Sequence, residues 1–132
     1  MVYVVGMSDS LDRLFGQVMA AKAADPMVSR TAKLLRSGRS KMAKKLAEEA
    51  IEVVIDAMHG NRDAVVRESA DLLYNLVVLW VSAGVAPKEV WKEMERRERL
   101  MGIAEKLPKD LPDADLRRQV VALESRRIRK RR

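Results

Sequence analysis

Five carboxylates at helical spacing are the residues of this sequence best suited to chemistry: Glu48, Glu49 and Glu52, then Glu68 and Asp71. A helix turns by about 100° per residue, so positions three or four apart share a face. Glu49 and Glu52 therefore project together, and so do Glu68 and Asp71. The second pair opens the run Leu72-Leu73-Tyr74-Asn75-Leu76-Val77-Val78-Leu79-Trp80-Val81, which is apolar nearly all round. Such a helix is expected inside a bundle. Charge there is costly unless neutralised, and two like charges about 4 Å apart repel by roughly 4 kcal/mol at an effective dielectric near 20. A cluster of oxygen ligands with little histidine or sulfur around it suits a hard divalent cation, Mg²⁺ first and Mn²⁺ as its substitute.

The helix that carries Glu49 strengthens this expectation. On its wheel Lys41, Lys45, Glu49, Glu52 and Asp56 form one stripe with Glu48 at its edge, while Leu46, Ala50, Val53, Val54 and Ala57 make the apolar side. Carboxylates that hold a metal, with lysines one and two turns before them, suit a metal–phosphate ligand. For Lys41, Lys45 and Glu48 taken alone, a solvated face with i,i+4 Lys–Glu pairs is the simpler reading. For Glu68 and Asp71 the apolar surroundings favour a metal site.

These residues must be positioned by helices, and the sequence punctuates five of them. Leu11, Leu14, Phe15, Val18 and Met19 recur at helical spacing behind Ser10 or Asp9 as a cap, and this helix ends before Asp25-Pro26. A short helix around Thr31, Ala32, Leu34 and Leu35 stops at Ser37-Gly38. Ser40 is expected to cap the third, which His59-Gly60 terminates. Asn61 caps the fourth, which runs to about Ala83-Gly84, and Ala86-Pro87 opens a fifth carrying Val90, Trp91, Met94 and Leu100. Pro108 and Pro112 then break the pattern. The expected organisation is an all-α helical bundle over residues 1–107 and a basic C-terminal tail over 108–132, helical or loose.

Composition agrees with helices. Of the 132 residues 48% are hydrophobic, only 4% are aromatic and 8 are Met, a mix that favours Leu, Val, Ala and Met packing over a β-sandwich. The absence of cysteine excludes disulfides and thiolate metal sites and is compatible with a reducing, cytoplasmic compartment. Met1 to Val5 is too short for a signal peptide, and the longest apolar stretch, Leu76 to Ala86, is too short to span a bilayer. The net charge of +7 is uneven: residues 113–132 carry +5 of it, with 8 Lys/Arg against 3 Asp/Glu. That tail can touch nucleic acid or another polyanion, although a solvated terminus is the simpler reading.

Other conspicuous residues point nowhere else. His59 is the only histidine and stands at a helix C-terminus, where imidazolium favours the dipole, so no zinc site or histidine relay can be built. The glycines are helix stops and form neither GxGxxG nor GxxxxGK[ST]. Trp80 and Trp91 read as core or interface anchors. Helical di-iron proteins need Glu-x-x-His, whereas here Glu52 follows Glu49 and Asp71 follows Glu68.

Over residues 10 to about 106 the chain resembles phosphoribosyl-ATP pyrophosphohydrolase, the second enzyme of histidine biosynthesis. The resemblance runs through Leu11-Asp12-Arg13-Leu14, Ala23-Ala24-Asp25-Pro26 and Ser29-Arg30-Thr31-Ala32-Lys33-Leu34-Leu35 up to Gly38. It continues through Lys44-Lys45-Leu46-Ala47-Glu48-Glu49-Ala50-Ile51-Glu52-Val53-Val54 and Glu68-Ser69-Ala70-Asp71-Leu72-Leu73-Tyr74. The wider group is the all-α MazG-like nucleoside triphosphate pyrophosphohydrolases, whose signature is EExxE followed by ExxD.

The resemblance implies a helical bundle that dimerises, Mg²⁺ on the acidic motif, and hydrolysis between the α and β phosphates with release of pyrophosphate. It implies Glu49, Glu52, Glu68 and Asp71 as metal ligands. Glu48 would orient water or metal, and Glu48 and Glu49 would be the catalytic pair. Lys45 and Lys41 would meet phosphate oxygens. The sequence departs from the family pattern at Asn75, where His is usual, at Ala47, where Gly is usual, and at Arg30, where Tyr is usual. Asn75 lies one turn beyond Asp71 on the same face and is therefore expected to bear on substrate choice. Two alternatives accompany this reading: a house-cleaning pyrophosphohydrolase for another nucleotide, and a helical nucleic-acid-binding module that uses the tail.

Overall fold

The computed structural model describes residues 7–101 together with 122, 123, 125 and 126. Its elements are α1 (Met7–Ala21), α2 (Arg30–Arg36), α3 (Arg39–Met58), α4 (Arg62–Ala83) and α5 (Pro87–Met101). No strand occurs among the described residues, so the all-α expectation holds. The chain divides into two compact units, Met1–Pro87 and Lys88–Arg132. The basic tail expected over 108–132 lies outside the described residues, four helical positions apart.

Local chemistry sets most helix ends. Ser29 caps α2, its Oγ accepting from the Ala32 N–H at 3.1 Å. Asn61 caps α4, its Oδ1 accepting from the Ala64 N–H at 3.2 Å. Loss of either side chain is expected to cost about 1 kcal/mol. Gly84 closes α4 in the left-handed region at φ 75°, where a Cβ would be strained. Two expected caps are corrected. α1 begins at Met7, so Asp9 and Ser10 lie inside it, and Ser10 Oγ accepts from Arg13 Nη2 at 3.1 Å. α3 begins at Arg39 with Gly38 as its N-cap, which puts Ser40 within the first turn. Gly38 has φ 100°, and this conformation starts the helix two residues earlier than a serine cap would.

In the first unit α3 and α4 form an antiparallel hairpin around His59-Gly60-Asn61. Arg39 Nη2 donates to the Ser82 carbonyl at 3.0 Å and ties the start of α3 to the end of α4. The core takes Val18 from α1, Met42 from α3, and Val77, Val78 and Val81 from α4. Leu11, Leu14, Phe15, Leu34, Leu35, Tyr74, Leu79 and Trp80 pack around it, half-buried. Each fully buried aliphatic side chain contributes about 1.5–3 kcal/mol. Val77 and Val78 have no exposure, whereas Val66 is 58% and Leu73 43% exposed. Val66 and Leu73 are seven residues apart and so share one face of α4. Val77 lies four residues beyond Leu73 on that same face, so the apolar stripe of α4 is buried in its second half and left open at Val66 and Leu73.

Candidate active site and metal centre

The site is built where the hairpin brings the acidic turns of α3 and α4 together. Glu49 on α3 and Glu68 and Asp71 on α4 each place a carboxylate oxygen within 4.8 Å of the other two. Glu49 and Glu68 are half-buried, and Asp71 is exposed. The expectation that Glu68 and Asp71 stand in apolar surroundings is corrected here. Asp71 is exposed and Glu68 only half-buried, while buried positions of α4 become frequent from Asn75 onward. Crowding, more than burial of the α4 pair, is what a bound cation would relieve.

Burial and crowding both act on Glu49. The Glu49 carboxyl is pushed from 4.5 up to about 7 by partial burial, by its hydrogen bond with Glu68, and by the charges of Glu68, Asp71 and Glu52. No arginine or lysine enters those causes. Three carboxylate oxygens within 4.8 Å of one another, one on a group whose pKa is raised, are a donor set of the kind a hard divalent ion takes. Glu52 acts on Glu49 through its charge but is not one of the three converging carboxylates, and Glu48, next to Glu49 in the chain, is half-buried. Asp56, on the same stripe, also falls outside the three.

Two of these carboxylates, Glu49 and Asp71, line a cleft of about 690 Å³. Its wall holds Lys41, Lys45 and Glu49 from α3, and Asp71, Tyr74 and Asn75 from α4. Lys41, Lys45 and Glu49 follow at i, i+4 and i+8, spanning about 12 Å of helix at 1.5 Å per residue. Lys41 and Lys45 are exposed, and no ion pair joins Lys45 to Glu49 among the described residues. Asn75 is buried, at 6% exposure, and its Nδ2 donates to the Asp71 carbonyl at 2.8 Å. That bond anchors the amide one turn beyond Asp71, at the wall of the cleft.

α2 supplies the other wall, which sequence reasoning did not assign to the site. Arg30, Thr31, Lys33, Leu34 and Ser37 all line the cleft. The Thr31 and Tyr74 hydroxyls are hydrogen-bonded at 2.6 Å and join α2 to α4 across 43 residues of chain. The i,i+3 spacing of Arg30 and Lys33 was a visible sign of one cationic face. Nothing local, however, says which groove that face lines.

Among the described residues no single helix is long and apolar enough to cross a membrane.

Comparison with known proteins bears on this geometry. The family model of phosphoribosyl-ATP pyrophosphohydrolase matches residues 11–98, which contain every site residue named above. "Phosphoribosyl-ATP pyrophosphatase 2" of Bradyrhizobium diazoefficiens is 64% identical over 133 residues, covering 95% of this chain and 99% of that protein. The protein of the same name from Rhodopseudomonas palustris is 64% identical over 132 residues, 96% of this chain and 100% of its own length. "Phosphoribosyl-ATP pyrophosphatase" of Gluconobacter oxydans is 50% identical over 96 residues, 73% of this chain and 72% of that protein. With an all-α hairpin that gathers Glu49, Glu68 and Asp71 beside a lysine-lined cleft, and relatives alike over nearly its whole length, the chain belongs to the phosphoribosyl-ATP pyrophosphohydrolase family.

Proposed function

We propose that this protein hydrolyses phosphoribosyl-ATP to phosphoribosyl-AMP and pyrophosphate, a step of histidine biosynthesis, with Mg²⁺ held by Glu49, Glu68 and Asp71 and with Glu52 beside them. The observation that carries the reading is the convergence of three carboxylates within 4.8 Å, two of which, Glu49 and Asp71, line a cleft whose wall also bears Lys41 and Lys45. Bound there, Mg²⁺ would neutralise phosphate charge and lower the pKa of a water.

The chain's own residues do the rest. Lys45 and Lys41, one and two turns before Glu49, hold phosphate oxygens and balance the charge that grows on the leaving pyrophosphate. Glu48 and Glu49 orient the attacking water, and a carboxylate takes its proton. Water adds across the bond between the α and β phosphates, so one oxygen enters and pyrophosphate departs. Asn75 presses its buried amide against the same wall and shapes what the cleft accepts.

The test offers purified protein phosphoribosyl-ATP and a panel of other nucleotides with Mg²⁺. Pyrophosphate released from phosphoribosyl-ATP in clear preference to the panel is the expected result. Preference for another nucleotide would move the protein to a house-cleaning role, and release of orthophosphate would overturn the cleavage site.

The same reading includes a homodimer. Val66 and Leu73 leave an apolar stripe of α4 exposed, and a second copy would cover it. Light scattering at micromolar concentration is expected to give twice the chain mass of 14.9 kDa. The monomer mass would remove the dimer.

A further inference from the structure

Arg30 and Lys33 stand three residues apart on α2 and therefore on one face. Both line the cleft that Glu49 and Asp71 line, and both also line a second cleft of about 340 Å³ formed with Pro26, Met27 and Val28. They are the residues the two clefts share. Both are exposed, and neither enters an ion pair among the described residues. The turn before them is braced: Asp25 Oδ1 accepts from the Met27 N–H at 2.9 Å, and the Asp25 carbonyl accepts from the Val28 and Ser29 N–H groups at 3.0 and 2.9 Å. Met27 and Val28 are thereby held outward, 92% and 84% exposed, at the rim of the second cleft.

The cations of the site thus fall into two sets. Lys41 and Lys45 share a helix with Glu49 and serve the phosphates next to the metal cluster. Arg30 and Lys33 stand on a different helix, locked to α4 by the Thr31–Tyr74 bond, with no carboxylate among them. Phosphoribosyl-ATP is a ligand with two separated anionic ends, a triphosphate and the 5-phosphate of a second ribose. ATP has only the first. A guanidinium fork beside an ammonium group suits a phosphate monoester dianion, and the aliphatic rim of Met27 and Val28 suits the carbon face of a sugar.

We propose that Arg30 and Lys33 bind the phosphate monoester on the substrate's second ribose, remote from the bond that is cut, and so select phosphoribosyl-ATP over ATP. This assignment rests on the pyrophosphohydrolase reading and adds the residues that would make it selective.

The experiment compares the full-length wild type with Arg30→Gln, Lys33→Gln, the double variant, and Arg36→Gln. Arg36 lies on the same helix but lines neither cleft, so it controls for general charge. Pyrophosphate release is measured with phosphoribosyl-ATP and with ATP, and ribose 5-phosphate binding is followed by calorimetry. Circular dichroism melts check the fold of each variant. The double variant is expected to lose about ten- to hundredfold in selectivity for phosphoribosyl-ATP, through KM rather than kcat, as fits removal of two charge-assisted contacts. It should lose ribose 5-phosphate binding as well, and Arg30→Lys should restore part of both. Three results would overturn the assignment: unchanged selectivity, an equal loss for both substrates, or the same loss in Arg36→Gln. A wild type that binds ribose 5-phosphate through Arg30 and Lys33 but releases no pyrophosphate would instead sink the enzymatic reading and leave the anion site standing.

Discussion

Glu49 on α3 and Glu93 on α5 are the same residue type on exposed or half-exposed helical turns, and their surroundings drive them in opposite directions. Glu93 Oε2 accepts from Arg96 Nε at 2.9 Å, and its Oε1 accepts from Arg96 Nη2 at 2.7 Å and from Arg97 Nε at 3.0 Å. These bonds hold its carboxyl down at about 2. Glu49 meets Glu68, Asp71 and Glu52 and is raised to about 7. The i,i+3 and i,i+4 partners of Glu93 come from its own helix, so its charge is answered locally. The charge of Glu49 is answered by nothing within the cluster. A carboxylate with its own arginines is answered within its helix, whereas carboxylates gathered from two helices with no cationic side chain acting on Glu49 form a donor set for a cation.

The largest effects that would break this contrast lie in the cluster. Asp71→Asn and Glu68→Gln are expected to lower Mg²⁺-dependent pyrophosphate release at least about a hundredfold, since even partners outside a metal's ligand shell are worth ten- to a hundredfold. Glu93→Gln should leave that rate alone. Full activity in both cluster variants would strike them from the ligand set.

Next comes stability. Mg²⁺ at one hundred times its dissociation constant should stabilise the wild type by about 2.7 kcal/mol, seen as a rise in melting temperature. Asp71→Asn should lose most of that rise, and Glu93→Gln should keep it. An undiminished rise in Asp71→Asn would mean that the metal stabilises from another place.

The pH dependence sharpens the comparison further, because the two signs differ. Glu49 titrates near 4.5 unfolded and about 7 folded. Its contribution is therefore most favourable below pH 4.5 and declines as pH rises to about 7, by on the order of 1 kcal/mol once solvent screening is allowed for. Urea midpoints without metal should show this decline, and Glu49→Gln should flatten it. Metal competes with the same proton, so Mg²⁺ affinity should tighten from pH 5 to 8; calorimetry showing constant affinity across that range would count against the proton–metal exchange. Glu93 behaves in reverse: its contribution is present above pH 4.5 and fades as pH falls toward about 2. This is the smallest of the expected effects, because the fork is exposed and screened. An acid-limb shift in Glu93→Gln as large as the Glu49 effect would reverse the ranking.

Much of this was legible before any coordinates. The all-α class, the Ser37-Gly38, His59-Gly60 and Gly84 stops and the Asn61 cap follow from contacts within a few residues, where side-chain chemistry and backbone geometry act directly. So does the placement of Glu49 with Glu52 and of Glu68 with Asp71, because helical periodicity alone decides it. The Ser10 and Ser40 caps were misplaced because capping residues are also tolerated within a first turn, and only the backbone at Met7 and Gly38 shows where each helix begins.

Periodicity could not decide which of five carboxylates converge. That Glu49 meets Glu68 and Asp71 while Glu52 stays one turn aside depends on the rotation and height at which α3 packs on α4. Packing sets both through Met42, Val77, Val78 and Val81, residues that carry no chemistry of their own. The cationic wall of α2 is non-local in the same way. Arg30 and Lys33 face the cleft because Thr31 bonds Tyr74 from 43 residues away. The residue types that could hold metal and phosphate were written in the sequence; which of them meet was decided by the burial of the apolar faces between them.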